Sequence, residues 1–470
     1  LALLACSGTA YAAQPFIDRS NPDLTVMSFY EIPYAEGVTF VRRTAQVFPD
    51  TDAGTVTGRA SYQFQNTSGQ EQSVSFGINP GYTISNVKAN GADVPFTVSD
   101  YQEYNEARLE VTIPAEEEVE LTMEYSGFPQ ESLPTMQGGK ELSSEYLCLE
   151  NAALAPRILN VMPGEDGYPA EIEITLPASM TAVPFGSAAA EVVADNADGT
   201  RTWRYEQNGA GGILYAGDYI RQNIEAGGLT IEFYYGRKHQ AVMEAAGAAD
   251  AVKAVVDYCT EHYGPLSFGN AGTLKLIQSR VAGGGYATAG ASLLDEADFT
   301  AANLGDLQKG GGAGEVMIHE LVHQWWGLGN MFDTADPASP WSAEGLTVYT
   351  TYRIAKDLYG EEYARTQYLD RWQQAVDDYY LNFYVRCPQY LEKLPENLQL
   401  AISNSLSQVR QYNEMPLKIL KAEQLVGGEA AMDRILRDLF NRELDPAYPY
   451  LTYEEFLGAC ALTEEDLNLG

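Results

Sequence analysis

The sequence of 470 residues contains few cysteines and no long apolar segment. It has five cysteines, and those after Cys6 are widely spaced, without a Cys-x-x-Cys pair. This spacing excludes a cysteine-rich zinc cluster and a disulfide scaffold, and it favours buried thiols. No apolar run beyond the N-terminus reaches the length that a membrane-spanning helix needs.

Basic residues are also scarce. The chain has 29 lysines and arginines against 65 aspartates and glutamates, which gives a formal net charge of -36 at pH 7. Such a charge repels phosphates, so it argues against nucleic acids and anionic membrane surfaces as partners. The carboxylates are scattered along the sequence, which favours solvated surface positions. A local field that attracts basic peptides is the alternative.

Only four histidines are present, and two of them lie in the motif His-Glu-Leu-Val-His at residues 319–323. On a helix, His319 and His323 lie one turn apart on the same face, so both imidazoles can reach one metal ion. Glu344, in Trp-Ser-Ala-Glu-Gly, supplies a carboxylate from the next predicted helix. These three residues make a zinc site with a fourth position open for water, and Glu320 beside that water is suited to be the general base.

The five-residue motif also occurs by chance and in helices that bind no metal. Here the motif lies in a strongly apolar helix that ends at the glycines 327 and 329. Polar side chains buried in such a helix are costly unless they have partners, and a metal with its water would satisfy them. We therefore predict one zinc ion per chain, bound by His319, His323 and Glu344.

The run His-Glu-Leu-Val-His-Gln-Trp-Trp-Gly at 319–327 resembles the gluzincin aminopeptidases, the group of alanyl aminopeptidase and leukotriene hydrolase. Trp341–Gly345 is similar to the Trp-Leu-Asn-Glu-Gly of that family. The resemblance implies a thermolysin-like catalytic domain, a zinc cofactor and peptide substrates. Twenty residues separate the second histidine from the glutamate, where the family has eighteen, and we place the two extra residues in the loop Asp333–Pro340.

One family motif is degenerate. The stretch Gly284–Gly290 aligns with Gly-Ala-Met-Glu-Asn-Trp-Gly, so Ala287 takes the place of the glutamate that holds the free amino group of a substrate, and Thr288 takes the place of the asparagine. A carboxylate is the natural partner of a terminal ammonium, so its loss predicts weaker discrimination for a free N-terminus. Asp295 and Glu296 are nearby carboxylates that could restore amine binding; capping of a surface segment is the alternative.

Two further groups complete the predicted site. Tyr412 matches the tyrosine of the family segment Tyr-x-Lys-Gly, which implies a hydrogen-bond donor to the developing oxyanion, although Glu414 and Met415 replace the Lys-Gly. An ordinary packed aromatic is the alternative for Tyr412. The backbone of Gly283, Gly284 and Gly285 can bind an extended peptide by strand addition, whereas a simple turn is the other interpretation.

The pattern of apolar residues changes near residues 234–238. Before it, alternating runs such as Val38–Val41, Ala60–Phe64 and Leu121–Tyr125 predict strands of a β sandwich or saddle. After it, helical patterns prevail, with one strand at Thr273–Ile277. The predicted fold is therefore a multi-domain α+β protein. Residues 1–22 are a signal-peptide remnant and linker, residues 23–235 an all-β domain, and residues 236–470 a mainly helical, thermolysin-like zinc peptidase domain.

The N-terminus indicates export. Leu1–Ala5 is typical of the end of a signal-peptide apolar region, and Ala10-Tyr11-Ala12 fits a small-x-small cleavage site. Leu3-Leu4-Ala5-Cys6 equally fits the lipid-attachment pattern of bacterial lipoproteins, so Cys6 is a possible lipid anchor. We expect an extracellular or membrane-anchored bacterial protein.

The sequence thus predicts a zinc-dependent metallopeptidase that is aminopeptidase-like but altered in its recognition of the N-terminus. Two other functions stay open. A non-catalytic binding module would explain the lost glutamate but not the general base Glu320. A hydrolase of a non-peptide substrate is the second alternative, as leukotriene hydrolase shows for this scaffold.

Overall fold

The structure is a computed structural model, and it describes residues 32–101, 106–130, 141–186, 188–266, 273–280, 285–296, 312–333, 339–445 and 448–469. Cys6, the candidate cleavage site, Gly283 and Gly284 lie outside the described residues. No helix in the described part of the chain is both long enough and apolar enough to cross a membrane. None of the four described cysteines forms a disulfide, and three of them are buried.

The first half of the described chain is built almost entirely of strands. They are β1 (Val38–Asp50), β2 (Thr55–Asn66), β3 (Gln72–Ile78), β4 (Tyr82–Ala89), β5 (Ala92–Asp93), β6 (Phe96–Tyr101), β7 (Glu106–Ile113), β8 (Glu118–Gly127), β9 (Glu141–Leu142), β10 (Tyr146–Glu150), β11 (Arg157–Ile158), β12 (Met162–Pro163), β13 (Pro169–Pro177), β14 (Thr181–Pro184), β15 (Glu191–Asp195), β16 (Thr200–Asn208) and β17 (Ile213–Gly217).

These strands form three sheets. One has the order β15-β16-β13-β1-β2-β8-β4-β5, with β12 beside β1, and the others run β14-β17-β10-β9 and β11-β3-β7-β6. Along β2 the burial alternates, so Val56, Ala60, Tyr62 and Phe64 face one core while the residues between them face outwards. The predicted strands and the β-sandwich character of this part are confirmed.

A fourth sheet is formed by five strands between Tyr219 and Asp295. Its strands are β18 (Tyr219–Ala226), β19 (Leu229–Gly236), β20 (Thr273–Ser279), β21 (Gly285–Thr288) and β22 (Ala291–Asp295), in the order β18-β19-β20-β22-β21. The register pairs β19 with β20 and β20 with β22 in parallel, and β21 with β22 antiparallel. Since this sheet already begins at Tyr219, the division at residue 236 stays a prediction.

The helices follow, with the predicted order. They are α1 (Gln240–Ala246), α2 (Ala248–Tyr263), α3 (Gly312–Val322), α4 (Ala343–Tyr359), α5 (Glu361–Ala364), α6 (Asp370–Leu381), α7 (Phe383–Arg386), α8 (Glu396–Val409), α9 (Met415–Val426), α10 (Glu429–Phe440) and α11 (Tyr453–Cys460). Short 3-10 turns cover Asn151–Ala153, Arg237–His239 and Pro388–Lys393, and π turns cover Arg365–Leu369 and Arg410–Glu414.

Three predicted helices differ from the structure. The helix that the pattern predicts over 361–380 is interrupted by the π turn Arg365–Leu369. The pattern predicts one helix over 241–263, but Gly247 has a φ of 67° and separates α1 from α2. A left-handed residue is a standard helix end, and glycine adopts it without a Cβ clash. The predicted helix over 314–327 ends at Val322, because the chain turns at His323 and Gln324.

A buried ion network fixes the far end of α4. Arg353 has a side chain that is only 4% exposed and pairs with Glu423 at 3.1 Å and with Asp433 at 3.4 Å. His262 of α2 lies 2.8 Å from the same aspartate through its Nδ1 atom. Four helices, α2, α4, α9 and α10, are therefore joined around one guanidinium. Because buried charges need good partners, this network constrains how the helices pack.

Candidate active site

Three predicted ligands converge at the junction of α3 and α4. The Nε2 atoms of His319 and His323 lie 3.1 Å apart. The Oε2 atom of Glu344, from the first turn of α4, lies 3.2 Å from the Nε2 of His319 and 3.4 Å from that of His323. All three ligand atoms fall within 4.8 Å of one another. Helical spacing aligns the two imidazoles, and the packing of α4 against α3 brings the carboxylate to them.

The chemistry of this group fits a metal ion. Glu344 is 7% exposed, and its Oε2 atom has no hydrogen-bond partner among the described atoms although two imidazoles face it. A buried carboxylate oxygen in that situation is costly unless a cation binds it. Two imidazole nitrogens and one carboxylate oxygen are typical zinc donors, and three protein ligands leave a position for water.

The charges of the three ligands are strongly coupled. Burial acts to raise the pKa of Glu344, but His323 and His319 outweigh it and hold that pKa well below its ordinary value. Burial likewise acts to lower the pKa of His323, but Glu344 outweighs it and raises that pKa to about 9. A positive charge is thus favoured at the point where the ligand atoms meet.

A second layer of contacts orients His323. Its Nδ1 atom donates to the carbonyl oxygen of Trp326 at 3.0 Å, which leaves Nε2 as the ligand atom. The hydroxyl of Thr347 lies 3.2 Å from the same Nδ1 and donates to the same carbonyl at 3.3 Å. Thr347 lies one turn beyond Glu344 on α4, so one helix turn provides both a ligand and the support of another ligand.

The side chain of Glu320 lies against the edge of the fourth sheet. It is 7% exposed, and its side chain packs against the backbone of Gly285, the first residue of β21. Burial raises the pKa of Glu320, while the charges of the two neighbouring histidines act in the opposite direction. A carboxylate beside the metal ligands but outside their set is placed as a general base requires.

The strand β21 is the edge of its sheet among the described residues. An edge strand has unpaired backbone groups that an extended peptide can use. Of the three predicted substrate-binding glycines, Gly285 opens this strand next to Glu320, and the other two lie outside the described residues. The edge strand β21 therefore begins directly beside Glu320, the candidate general base.

Alternation along β21 decides which side chains face the site. Gly285 faces Glu320, whereas Tyr286 turns to the opposite side and packs against Phe185, with ring centroids 5.8 Å apart. Ala287, two residues after Gly285 along β21, consequently lies on the same face of the strand as Gly285. Ala287 thus presents only a methyl group on the face of β21 that carries Gly285.

Glu296, one of the two nearby carboxylates, is already engaged. It forms an ion pair with Lys238, and its Oε2 atom accepts from the Nε of Arg280 at 3.1 Å. Asp295, the other one, is 8% exposed at the end of β22, where it pairs with Ser279. The network around Glu296 speaks against it as a replacement for the lost amine anchor.

Tyr412 lies beside the ligand His319. Its ring is nearly parallel to that of His319, with centroids 6.2 Å apart and an interplanar angle of 20°. The residue belongs to the π turn Arg410–Glu414 between α8 and α9. Such single π turns recur at functional sites because they shift the side chains on one side of a helix.

Sequence reasoning missed the glutamine that follows the second histidine. The amide of Gln324 donates to the carbonyl oxygens of Thr288 at 3.0 Å and Ala291 at 3.3 Å, and its Oε1 atom accepts from the backbone of Gly290 at 3.0 Å. Ser292 adds a bond to the backbone oxygen of Glu320 at 2.8 Å. Gln324 is fully buried, and the signal in the sequence was a polar residue between His323 and two tryptophans.

No family profile matches this sequence. No curated protein matches it either. Solved structures do match. A mutant zinc metallopeptidase M1 from Deinococcus radiodurans bound to a Tyr-Ser-Ala substrate has a TM-score of 0.54 at 18% identity, covering 94% of this chain and 95% of that chain. The chain has the fold of the M1 zinc metallopeptidases.

A second solved structure supports the same fold. Native leukotriene A4 hydrolase from Saccharomyces cerevisiae has a TM-score of 0.55 at 15% identity, and the match covers 94% of this chain and 68% of that chain. The predicted architecture, a β-rich part followed by a helical part, and the resemblance to the gluzincins are confirmed at the level of the fold. The interpretation of residues 284–290 as a degenerate substrate motif stays a prediction.

Proposed function

We propose that this protein is a zinc-dependent metallopeptidase that hydrolyses peptide bonds. The observation that carries the proposal is the convergence of His319, His323 and Glu344 within 4.8 Å, with Glu320 beside them against the edge strand. The M1 fold supports it, since the Deinococcus radiodurans relative binds a Tyr-Ser-Ala substrate. A binding module would have no use for a buried carboxylate next to its metal ligands.

His319, His323 and Glu344 would hold the zinc ion. When bound, zinc lowers the pKa of a coordinated water to about 7 and polarises a carbonyl group. Glu320 accepts the proton of the attacking water and delivers it to the leaving amine. Tyr412, whose ring lies beside that of His319, donates a hydrogen bond to the oxygen on which negative charge develops. The edge strand β21 aligns the peptide through its backbone groups.

The recognition of the N-terminus is the finer part of the proposal. Position 287 lies on the face of β21 that carries Gly285, and its methyl group cannot pair with an ammonium. Glu296 is held by Lys238 and Arg280. We propose that cleavage does not depend on a free N-terminus, so the protein discriminates weakly between a peptide and its acetylated form.

The metal and the base are tested together. We expect the purified protein to contain one zinc per chain, and Glu320→Gln to keep that zinc while it loses turnover of a peptide library read by mass spectrometry. Glu296→Gln, which removes a carboxylate outside the ligand set, is the control and should retain activity. Absence of zinc after reconstitution, or full turnover by Glu320→Gln, would refute the proposed function.

The N-terminal specificity is tested separately with matched free and acetylated peptides. A working amine anchor would favour the free peptide by roughly 100-fold in kcat/KM. We expect less than that for the natural chain, and a gain in favour of the free peptide for Ala287→Glu. A 100-fold preference in the unmodified protein would show that another group anchors the amine, and it would leave the zinc peptidase intact.

A further inference from the structure

Glu414 is a buried carboxylate that the proposed chemistry does not use. It closes the π turn Arg410–Glu414 and stands where the related family segment has a lysine. Its side chain is only 3% exposed. A buried charge of this kind is retained only where its partners compensate for its desolvation.

Two basic residues form ion pairs with Glu414, and we call these pairs the clamp: Arg410 lies at the start of the turn and Lys418 lies beyond its end. The Nε atom of Arg410, at the start of the turn, donates to the Oε2 of Glu414 at 2.7 Å, and its Nη2 lies 3.5 Å from Oε1. Lys418, one helical turn later on α9, approaches the same Oε1 at 3.5 Å. The ion pairs therefore join the first residue of the π turn to its last residue and to the helix that follows.

Tyr412 lies inside this clamp. The turn places its ring parallel to that of His319, at a centroid distance of 6.2 Å. A π turn contains one residue more than an α turn needs, so relaxation to a regular helix would rotate the side chains by about 100° per residue. Such a rotation would carry the phenol away from the ligands. The orientation of Tyr412 depends on the persistence of the wide turn.

The residue that follows Glu414 also contacts α4. Met415 follows Glu414, and its Cγ atom lies 2.5 Å from the point where a Cβ on Gly345 would be. Gly345 is the neighbour of the ligand Glu344, so no larger residue fits there without displacing Met415. The residue after the π turn therefore packs against the first turn of α4, which carries the ligand Glu344.

We propose that Glu414 is a positioning residue that orients Tyr412 by clamping the π turn. The proposal rests on the role given to Tyr412 in the proposed function. It predicts that the two residues act as one unit. Removing the charge of Glu414 should cost transition-state stabilisation only as long as Tyr412 has a hydroxyl to position.

A double-mutant cycle tests this inference. In the zinc-loaded protein, Glu414→Gln should lower kcat about tenfold or more, with little change in KM or zinc content. In the Tyr412→Phe background the same substitution should have almost no further effect on kcat. Glu464→Gln is the matched control, because it removes the exposed partner of Lys418 and leaves the Arg410 pair in place.

An equal fall of kcat in both backgrounds, or an effect on KM alone, would overturn the inference. Arg410→Gln offers a second route if Glu414→Gln does not fold, because it opens the same clamp from its more exposed side. A crystal structure of either variant reads the position directly. If the Tyr412 ring keeps its position against His319 in either variant, the inference is overturned, even if no tested peptide is cleaved. If the zinc-loaded natural chain cleaves no peptide, only the proposed function is refuted.

Discussion

Gly285 leaves the space that the side chain of Glu320 occupies. A Cβ atom on Gly285 would lie 2.3 Å from the Cγ and 2.7 Å from the Oε1 of Glu320, closer than non-bonded atoms can approach. The position of the general base therefore depends on a residue without a side chain.

Gly285→Ala should displace Glu320 and lower kcat by roughly tenfold or more, because proton transfer requires the carboxylate within hydrogen-bond reach of the water. Zinc content should not change, since Glu320 is not a ligand. Gly458→Ala is the control, because a Cβ there meets no atom within 4 Å. Steady-state kinetics with parallel metal analysis would decide, and unchanged kcat in Gly285→Ala would show that Glu320 can shift without loss.

Gln324→Leu should weaken peptide binding and lower stability by roughly 3 kcal/mol, because it leaves buried backbone groups of the β21–β22 hairpin without partners. KM should rise more than kcat falls, since the edge strand is displaced while the ligands remain. Gln373→Leu makes the same substitution at an exposed position of α6. Urea unfolding and kinetics on both variants test this, and equal effects at the two positions would contradict it.

Thr347→Val should reduce zinc affinity by about tenfold, because the hydroxyl supports the His323 imidazole and the carbonyl that orients it. Thr351→Val removes a buried hydroxyl one turn further along α4 that bonds only to the Thr347 carbonyl among the described contacts. Competition with a chelator measures both affinities. If both variants lose zinc equally, the effect belongs to the helix and not to the ligand support.

Asp433→Asn should destabilise the fold by roughly 3 kcal/mol at neutral pH. Burial acts to raise the pKa of Asp433, but His262 and Arg353 outweigh it and hold that pKa below its ordinary value of 3.8. Stability from this carboxylate is therefore complete above pH 3.8 and is lost as the pH falls further.

The difference in unfolding free energy between the natural chain and Asp433→Asn should accordingly shrink in acid. Urea unfolding at pH 7 and near pH 3 measures it, with Asp377→Asn on the surface of α6 as the control. A difference that stays constant over this range would mean that the charge of Asp433 contributes nothing and that the loss comes from packing alone.

Local patterns predict much of this fold. Alternation in residues such as Tyr62 and Phe64 indicates β2, and the helical period from Ala343 to Tyr359 matches α4 at both ends. The metal group follows because two histidines one helical turn apart constrain each other. The third ligand, Glu344, is predicted from its own sequence motif. The packing of α4 against α3 then brings its carboxylate to the two histidines.

Tertiary contacts are what the sequence does not reveal. The bonds of Gln324 join residues more than thirty positions apart, and no local pattern indicates them. The π turn at Arg410–Glu414 has no compositional signature, and the Glu414 ion pairs that accompany it become visible only in the structure. The break at Gly247 shows the reverse case, in which a single glycine overrides an apolar period that continues across it.

The helix α4 links the two ends of the catalytic part. Glu344 stands in its first turn and Arg353 lies nine residues later, about 14 Å along the axis at 1.5 Å per residue. Because the helix is buried over this distance, it acts as a rigid rod, and loosening of the Arg353 network would tilt the ligand end. Metal occupancy and thermal resistance should therefore rise and fall together in variants of the Arg353 network, although those substitutions lie far from the metal ligands.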